Sequence, residues 1–370
     1  MPAKTDLPLL TLRELNRALL ARQMLLTRQR VGAIDAIERL ACLQGQWAPS
    51  PYVALWTRLA AFKREDLTAP IDKGLVIKAT LMRATLHLVS AKEYAAYALT
   101  TLDGRFAAWR PPGGPDLAAL KDIHDKVFAF AGKTPRSREE IREFIARDAP
   151  KEERLRNWYL WAAVTASGIV WEKSGAHWEY RQLARFVAPP ARLRKAPKPD
   201  AAFDLVARRY LATFGPSSVR DLASWSGCRV PALCAAVERI KDLRRFRDEG
   251  GRELVDLPKA PRPPAETVAP VRFLARFDAA ILGHDAAERT RILPAAYKKQ
   301  VIFAAEVWTT FLVDGFVAGR WKIAATPKQA VLELLPFERL AKTDRAALVD
   351  EGERLVRFYY PDSKTHGVKA

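Results

Sequence analysis

Two glutamines, Gln44 and Gln46, stand two positions apart in the segment CLQGQWAPSPYVALWTRL. In a continuing helix such side chains diverge by roughly 200°, but in an extended segment they share one side. Gly45, Pro49 and Pro51 favour the second geometry, because they end a helix. Two amides then project together from a loop, with Trp47 and Tyr52 beside them. An amide does not titrate near neutral pH and cannot serve as a general base. It can accept and donate hydrogen bonds to one water and so fix that water for attack. The same residues also read as a polar helix end whose amides cap stray carbonyls, and spacing alone leaves both readings open.

Other chemistry-bearing groups are sparse. Five histidines are scattered with no HxxxH, and Cys42, Cys228 and Cys234 form no CxxC, so no zinc site is expected. Three widely spaced cysteines suit reduced thiols better than a disulfide framework. No glycine-rich phosphate loop is present, so no nucleotide cofactor is expected. A single catalytic carboxylate is the alternative to the amides. Asp66 reads as a residue of a helix start, Asp314 as a turn former and Asp278 as a strand residue.

With 61 Lys and Arg against 42 Asp and Glu, the chain carries a formal charge of +19. A polyanion is the default partner of such a surface, since each cation that neutralises a phosphate releases a counterion. The stretch Val76 to Val89 alternates like a strand, with Met82, Leu86 and Leu88 on one face and Arg83, Thr85 and His87 on the other. Arg83 and His87 are therefore candidates for DNA contact. Arg229, Arg289 and Arg291 are candidate phosphate ligands. Trp47 is placed to pack against a base or sugar.

The elements that must carry these residues recur three times as a capped helix, more helix and a two-stranded ribbon. Thr11 with Glu14, Ser137 with Glu140, and Ser218 with Asp221 have capping-box spacing. The second copy continues with the helix RNWYLWAAVTASG and two short strands in IVWEKSGAHWEY. The third is the clearest: Gly227 separates two helices, and RRFRDEGGRELVDL turns at Gly250-Gly251. Helix-turn-helix followed by a hairpin is the pattern of a winged helix. The expected fold is α+β, with tandem winged-helix units over residues 1–110, 111–190 and 200–260 and a C-terminal β-rich domain over 270–370. Proline-bearing stretches at 181–198, with six Lys or Arg, and at 257–271 read as linkers. In the last domain VRFLARFDAAIL and FLVDGFVAGRWKI read as strands, closed by the helix TDRAALVDEGERLVRF.

Gln44-Gly45-Gln46, Pro51-Tyr52 and Leu55-Trp56-x-Arg58 resemble the N-terminal region of the AlkZ-type (AlkZ/YcaQ) winged-helix DNA glycosylases. Leu81-Met82-Arg83-x-Thr85-Leu86-His87-Leu88, Phe214-Gly215-Pro216 with Asp221, and Trp225-Ser226-Gly227 extend the likeness. So do Phe277-Asp278, Glu288-Arg289-Thr290-Arg291 and Val313-Asp314-Gly315. The resemblance implies tandem winged helices around a DNA channel and hydrolytic excision of alkylated, including crosslinked, purines. It implies a catalytic Gln, aliphatic residue, Gln signature, with Asp last in the YcaQ type. Gln44 and Gln46 match the first form, and Gly45 stands where the family carries an aliphatic residue. The expected partner is double-stranded DNA with alkylated bases, met by a monomer without cofactor. A winged-helix DNA-binding protein without chemistry, such as a regulator, is the rival. RNA binding is a third reading, though no aromatic RNA-binding pattern supports it. No signal peptide or membrane span is read, so a cytoplasmic, nucleoid-associated location is expected.

Overall fold

The computed structural model describes residues 7–108, 110–180 and 184–370. One order of elements recurs three times: helix, short strand, two helices, hairpin. The first repeat runs through helix Ala33–Arg39, strand Leu43–Gln44, helices Ser50–Arg58 and Glu65–Asp72, and strands Val76–Thr80 and Leu86–Ser90. The second uses Lys121–Ala131, Arg136–Ser137, Arg138–Ile145, Glu153–Ala166, Val170–Trp171 and Arg185–Val187. In both, the last strand lies between the other two and pairs antiparallel with each. The third repeat has helices Pro199–Phe214, Val219–Ser226 and Val230–Arg239, then the hairpin Arg244–Asp248 with Glu253–Asp256. A single bridge from Ser217 to Val255 replaces its first strand. This is winged-helix order.

Local sequence explains most of these boundaries. All three capping boxes form, with Thr11, Ser137 and Ser218 accepting from the third backbone N–H of their helices. Gly227 ends its helix in the left-handed region at φ 73°, which disfavours any residue with a Cβ. A Cβ there would also lie 3.1 Å from the Arg83 backbone nitrogen, so the first hairpin seats directly on this turn.

Long-range packing overrides several sequence expectations. Residues 76–89 are not one strand but the hairpin Val76–Thr80 and Leu86–Ser90, turned through 82–84 with Arg83 at φ 51°. Only Val170–Trp171 of IVWEKSGAHWEY is a strand. Lys173–Ala176 is a 3-10 turn, and the partner strand Arg185–Val187 comes from the stretch read as a basic linker. Positions 181–183 of that stretch lie outside the described residues. Asp278 caps the short helix Ala279–Leu282 rather than lying in a strand. The Thr11-capped helix Leu12–Arg22 packs on the third repeat, where Leu15 meets Phe246 and Leu254 and Arg22 pairs with Asp256 at 2.7 Å.

The C-terminal region is a five-stranded sheet in the order Arg272–Leu274, Thr310–Val313, Phe316–Ala325, Gln329–Pro336, Thr365–Lys369. It turns at Asp314-Gly315, as its sequence predicts. Helix Lys342–Tyr359 buries Leu348, Leu355 and Val356 against the sheet side of a core shared with helix Ser50–Arg58. A second core joins the first hairpin, the third repeat and strand Thr310–Val313. The first repeat is thus braced on both sides. Among the described residues no helix is long and apolar enough to cross a membrane.

Candidate active site

Strand Leu43–Gln44 is the central fact of the site. Leu43 pairs with Leu88 and Gln44 with His87, and the Gly45 N–H donates to the Leu86 carbonyl at 2.8 Å. The backbone is therefore extended from Leu43 through Gly45, and alternation sends Gln44 to one face and Leu43 and Gly45 to the other, while Gln46 stands in the bend that follows. Helix Ser50–Arg58 starts four residues after Gln46, with Pro51 in its first turn. Gln44 is 8% exposed, and its amide makes no hydrogen bond to another described residue. Gln46 is exposed, and its amide is likewise unpaired among the described residues. Neither amide caps a helix carbonyl.

Beneath Gln44 lies a cavity of about 10 Å³, bordered by Gln23, Ser50, Arg58, Arg276 and Asp278. Arg58 and Asp278 are fully buried and joined by two bonds of 2.7 and 2.9 Å, 220 residues apart in the chain. Arg58 also donates to the Ala54 carbonyl and to Gln23 Oε1, and Asp278 accepts from the Ala280 N–H. Every strong acceptor of this pair is occupied, so Asp278 is a fixed counter-ion and not a free base. Asp66 caps the Lys63 N–H at a helix start, and Asp314 pairs with Arg13 and Arg17, so neither carboxylate joins the site.

The opposite face explains Gly45. A Cβ at this position would fall 2.7 Å from Leu88 Cδ1 and 3.6 Å from Lys78 Cε. Its backbone lies outside the left-handed region, so the obstacle is space and not dihedral strain. Gly45→Ala is expected to cost about 1 kcal/mol of stability as Leu88 shifts, by analogy with overpacked cores. Thermal unfolding measures this, and an unchanged midpoint would show that Leu88 gives way freely.

The other sequence candidates divide. Trp47 is half-buried, its ring 6.3 Å from Tyr359 and under the Arg276 guanidinium at 5.4 Å. Arg229 is exposed at the start of helix Val230–Arg239, with Asp103 at 3.6 Å. Arg289 is half-buried, its Nε 3.4 Å from the His284 carbonyl. The remaining three are held in protein contacts. His87 is 1% exposed, because the third repeat covers the face read as open. Its Nδ1 donates to the Thr85 carbonyl at 3.0 Å, and burial, with Arg83 nearby, pushes its pKa down to about 3. It is neutral and lies opposite Gln44 on the amide face, not on a phosphate. Arg291 is fully buried and donates to the Pro216 carbonyl at 2.9 Å. Arg83 is half-buried and donates to the Trp225 carbonyl.

Sequence reading missed a rim of alternating rings and guanidinium groups. From Trp47 it passes to Arg276, then to Trp308 at 5.2 Å, then to Arg320 at 4.8 Å. Arg276 is held by Glu306 on the hairpin Ile302–Phe303 with Glu306–Val307. Phe303, at the tip of that hairpin, is 70% exposed. Phe303 lies in the apolar run Val301-Ile302-Phe303-Ala304-Ala305, which gives no local sign of an exposed ring.

Three comparisons with known proteins bear on the family and the fold. The sequence matches the DNA glycosylase AlkZ-like family over residues 37–358. A curated relative, the interstrand DNA cross-link repair glycosylase of Streptomyces sahachiroi, is 26% identical over 357 residues, covering 91% of this chain and 93% of the relative. The solved structure of the DNA glycosylase AlkZ from the same organism superposes with a TM-score of 0.77 at 23% identity, over 97% of this chain and 99% of that one. The chain belongs to the AlkZ-like family of DNA glycosylases.

Proposed function

We propose that this protein hydrolyses the N-glycosidic bond of alkylated purines in double-stranded DNA, with Gln44 and Gln46 holding the attacking water. The observation that carries the reading is two amides two positions apart with no partner among the described residues, Gln44 buried on a braced strand and Gln46 exposed in the bend that follows it. A water held between them is ordered against C1′ without being deprotonated beforehand. Purines alkylated at N3 or N7 carry positive charge and leave without protonation. What the protein must supply is orientation and stabilisation of an oxocarbenium-like centre, which fixed amide dipoles provide. Neutral His87 behind Gln44 adds no opposing charge to that centre.

In this reading the three winged-helix repeats and the C-terminal sheet form one monomeric frame, with Arg229, Arg289 and the Arg276–Arg320 rim on the phosphate side. The relative's name speaks of interstrand cross-links, and a cross-linked purine is the bulkier substrate to try. The test is a duplex carrying N7-methylguanine or N3-methyladenine, scored for free base and an alkali-labile abasic site. Release supports the glycosylase. Salt-sensitive binding with no release from methylated or cross-linked duplexes returns the protein to the role of a non-catalytic DNA binder.

Phe303 offers a separate check of the DNA-facing side. A ring 70% exposed on a hairpin tip contributes little to the core, so Phe303→Ala is expected to leave the melting temperature within about a degree. If the ring stacks on DNA, affinity falls by on the order of tenfold, as for loss of one base–aromatic contact. Fluorescence anisotropy with a labelled duplex reads the difference, and unchanged affinity would take the hairpin away from the DNA.

A further inference from the structure

We propose that Lys78 is a positioning residue for the Gln44-Gly45-Gln46 strand, clamped from the second repeat, and this rests on the glycosylase reading above. Lys78, Leu88 and Leu43 form one row across the first sheet, on the face away from the Gln44 side chain. The Lys78 stem lies along Gly45, its Cε 3.6 Å from where a Cβ would stand. Its ammonium crosses into the second repeat, donates to the Gly175 carbonyl at 2.7 Å, and sits 4.1 Å from the Trp171 ring centre and 5.8 Å from that of Tyr180. Lys78 is 6% exposed, an unusual setting for a lysine.

A lysine buried without a carboxylate partner among the described residues is a poor choice for stability alone. What it provides is reach: one side chain ties the back of the amide strand to a carbonyl and an aromatic face in another repeat. Leu88 and the Lys78 stem together fill the volume that a side chain at position 45 would occupy. The strand is then held from behind by two side chains, and a displacement of about 1 Å at a reacting group can cost on the order of a hundredfold in rate.

Burial lowers the Lys78 pKa from its ordinary 10.5 to about 8. The groups facing it are the Trp171 and Tyr180 rings. Lys73, Lys173, Arg192 and Glu172 line an adjoining cavity of about 340 Å³. Because the folded state disfavours the ammonium, the unfolded chain binds more protons between about pH 8 and 10.5, and stability from this group rises across that window. The clamp does the opposite. A neutral amine loses the cation–π attraction and donates a weaker hydrogen bond. Rate and stability therefore diverge as pH rises through 8.

The experiment compares wild type, Lys78→Met and Lys78→Ala by single-turnover base release from an N3-methyladenine duplex between pH 6 and 9.5. Hydrogen exchange of the Gly45 amide is followed in the same proteins. Lys78→Met keeps the stem and is expected to fall about tenfold in rate at pH 7 with DNA affinity unchanged. Its rate should no longer decline above pH 8, and Lys78→Ala should fall further. Protection of the Gly45 N–H, corrected for intrinsic exchange, should drop at least fivefold in both variants and in wild type above pH 8. Equal rates and equal protection in wild type and Lys78→Met overturn the proposal. If wild type releases no base, the glycosylase reading fails alone, and Gly45 protection still decides the clamp. If the variants do not fold, the wild-type pH series decides it.

Discussion

Gln46→Ala is expected to reduce the single-turnover rate of base release by 10²- to 10³-fold, roughly the loss seen when one preorganised polar group is removed from a reaction centre. Gln46 is exposed and its side chain pairs with no described residue, so its removal leaves the fold intact. Affinity for undamaged duplex should stay within about twofold, because phosphate contacts carry most of it. Gln44→Ala should act in the same direction, with a small added cost from the space opened beside Arg58 and Asp278. A Gln46→Ala protein that releases base at the wild-type rate would remove the amide pair from the chemistry.

The second large effect concerns stability. Asp278→Ala leaves the Arg58 guanidinium buried with only the Ala54 carbonyl and Gln23 Oε1 as acceptors. Breaking a buried pair from one side costs about 3–5 kcal/mol, because a charge is left without compensation. The loss should appear as a shift of the urea midpoint at pH 7, and excision should fail with it, since Arg58 ends the helix that follows the amide strand. Arg58→Leu with Asp278→Leu removes both charges and should recover much of the stability. Should Asp278→Ala prove as stable as wild type, the pair would not be the fixed floor described above.

How far the sequence could be read depended on whether a signal was local. The capping boxes, the turns at Gly250-Gly251 and Asp314-Gly315 and the breakers around Gln46 act within a few residues, and each has its expected consequence. The extended backbone at Gln44 was legible for the same reason. Alternation at Arg83, Thr85 and His87 suggested one strand face, but Arg83 falls in the turn and only His87 lies in the strand, and nothing local says what covers it. The third repeat covers it, and it makes His87 an interior group and ties the half-buried Arg83 to the Trp225 carbonyl. Arg291 reads as a surface cation until Pro216, 75 positions earlier, is seen to accept from it. Nothing local announces the Arg58–Asp278 pair or the Trp47–Arg276–Trp308–Arg320 rim, because Arg58 and Trp47 meet partners from the C-terminal region.

The most direct test of the amide pair compares two duplexes, one with a cationic pyrrolidine in place of the damaged nucleoside and one with a neutral tetrahydrofuran. The first mimics the charge that develops at C1′, and a site built for that charge binds it more tightly. Wild type should prefer the pyrrolidine by at least about tenfold, and both Gln44→Ala and Gln46→Ala should erase the preference while binding tetrahydrofuran as before. Equal affinity of wild type for the two duplexes, or a preference that survives both substitutions, would contradict a role for these amides at the sugar.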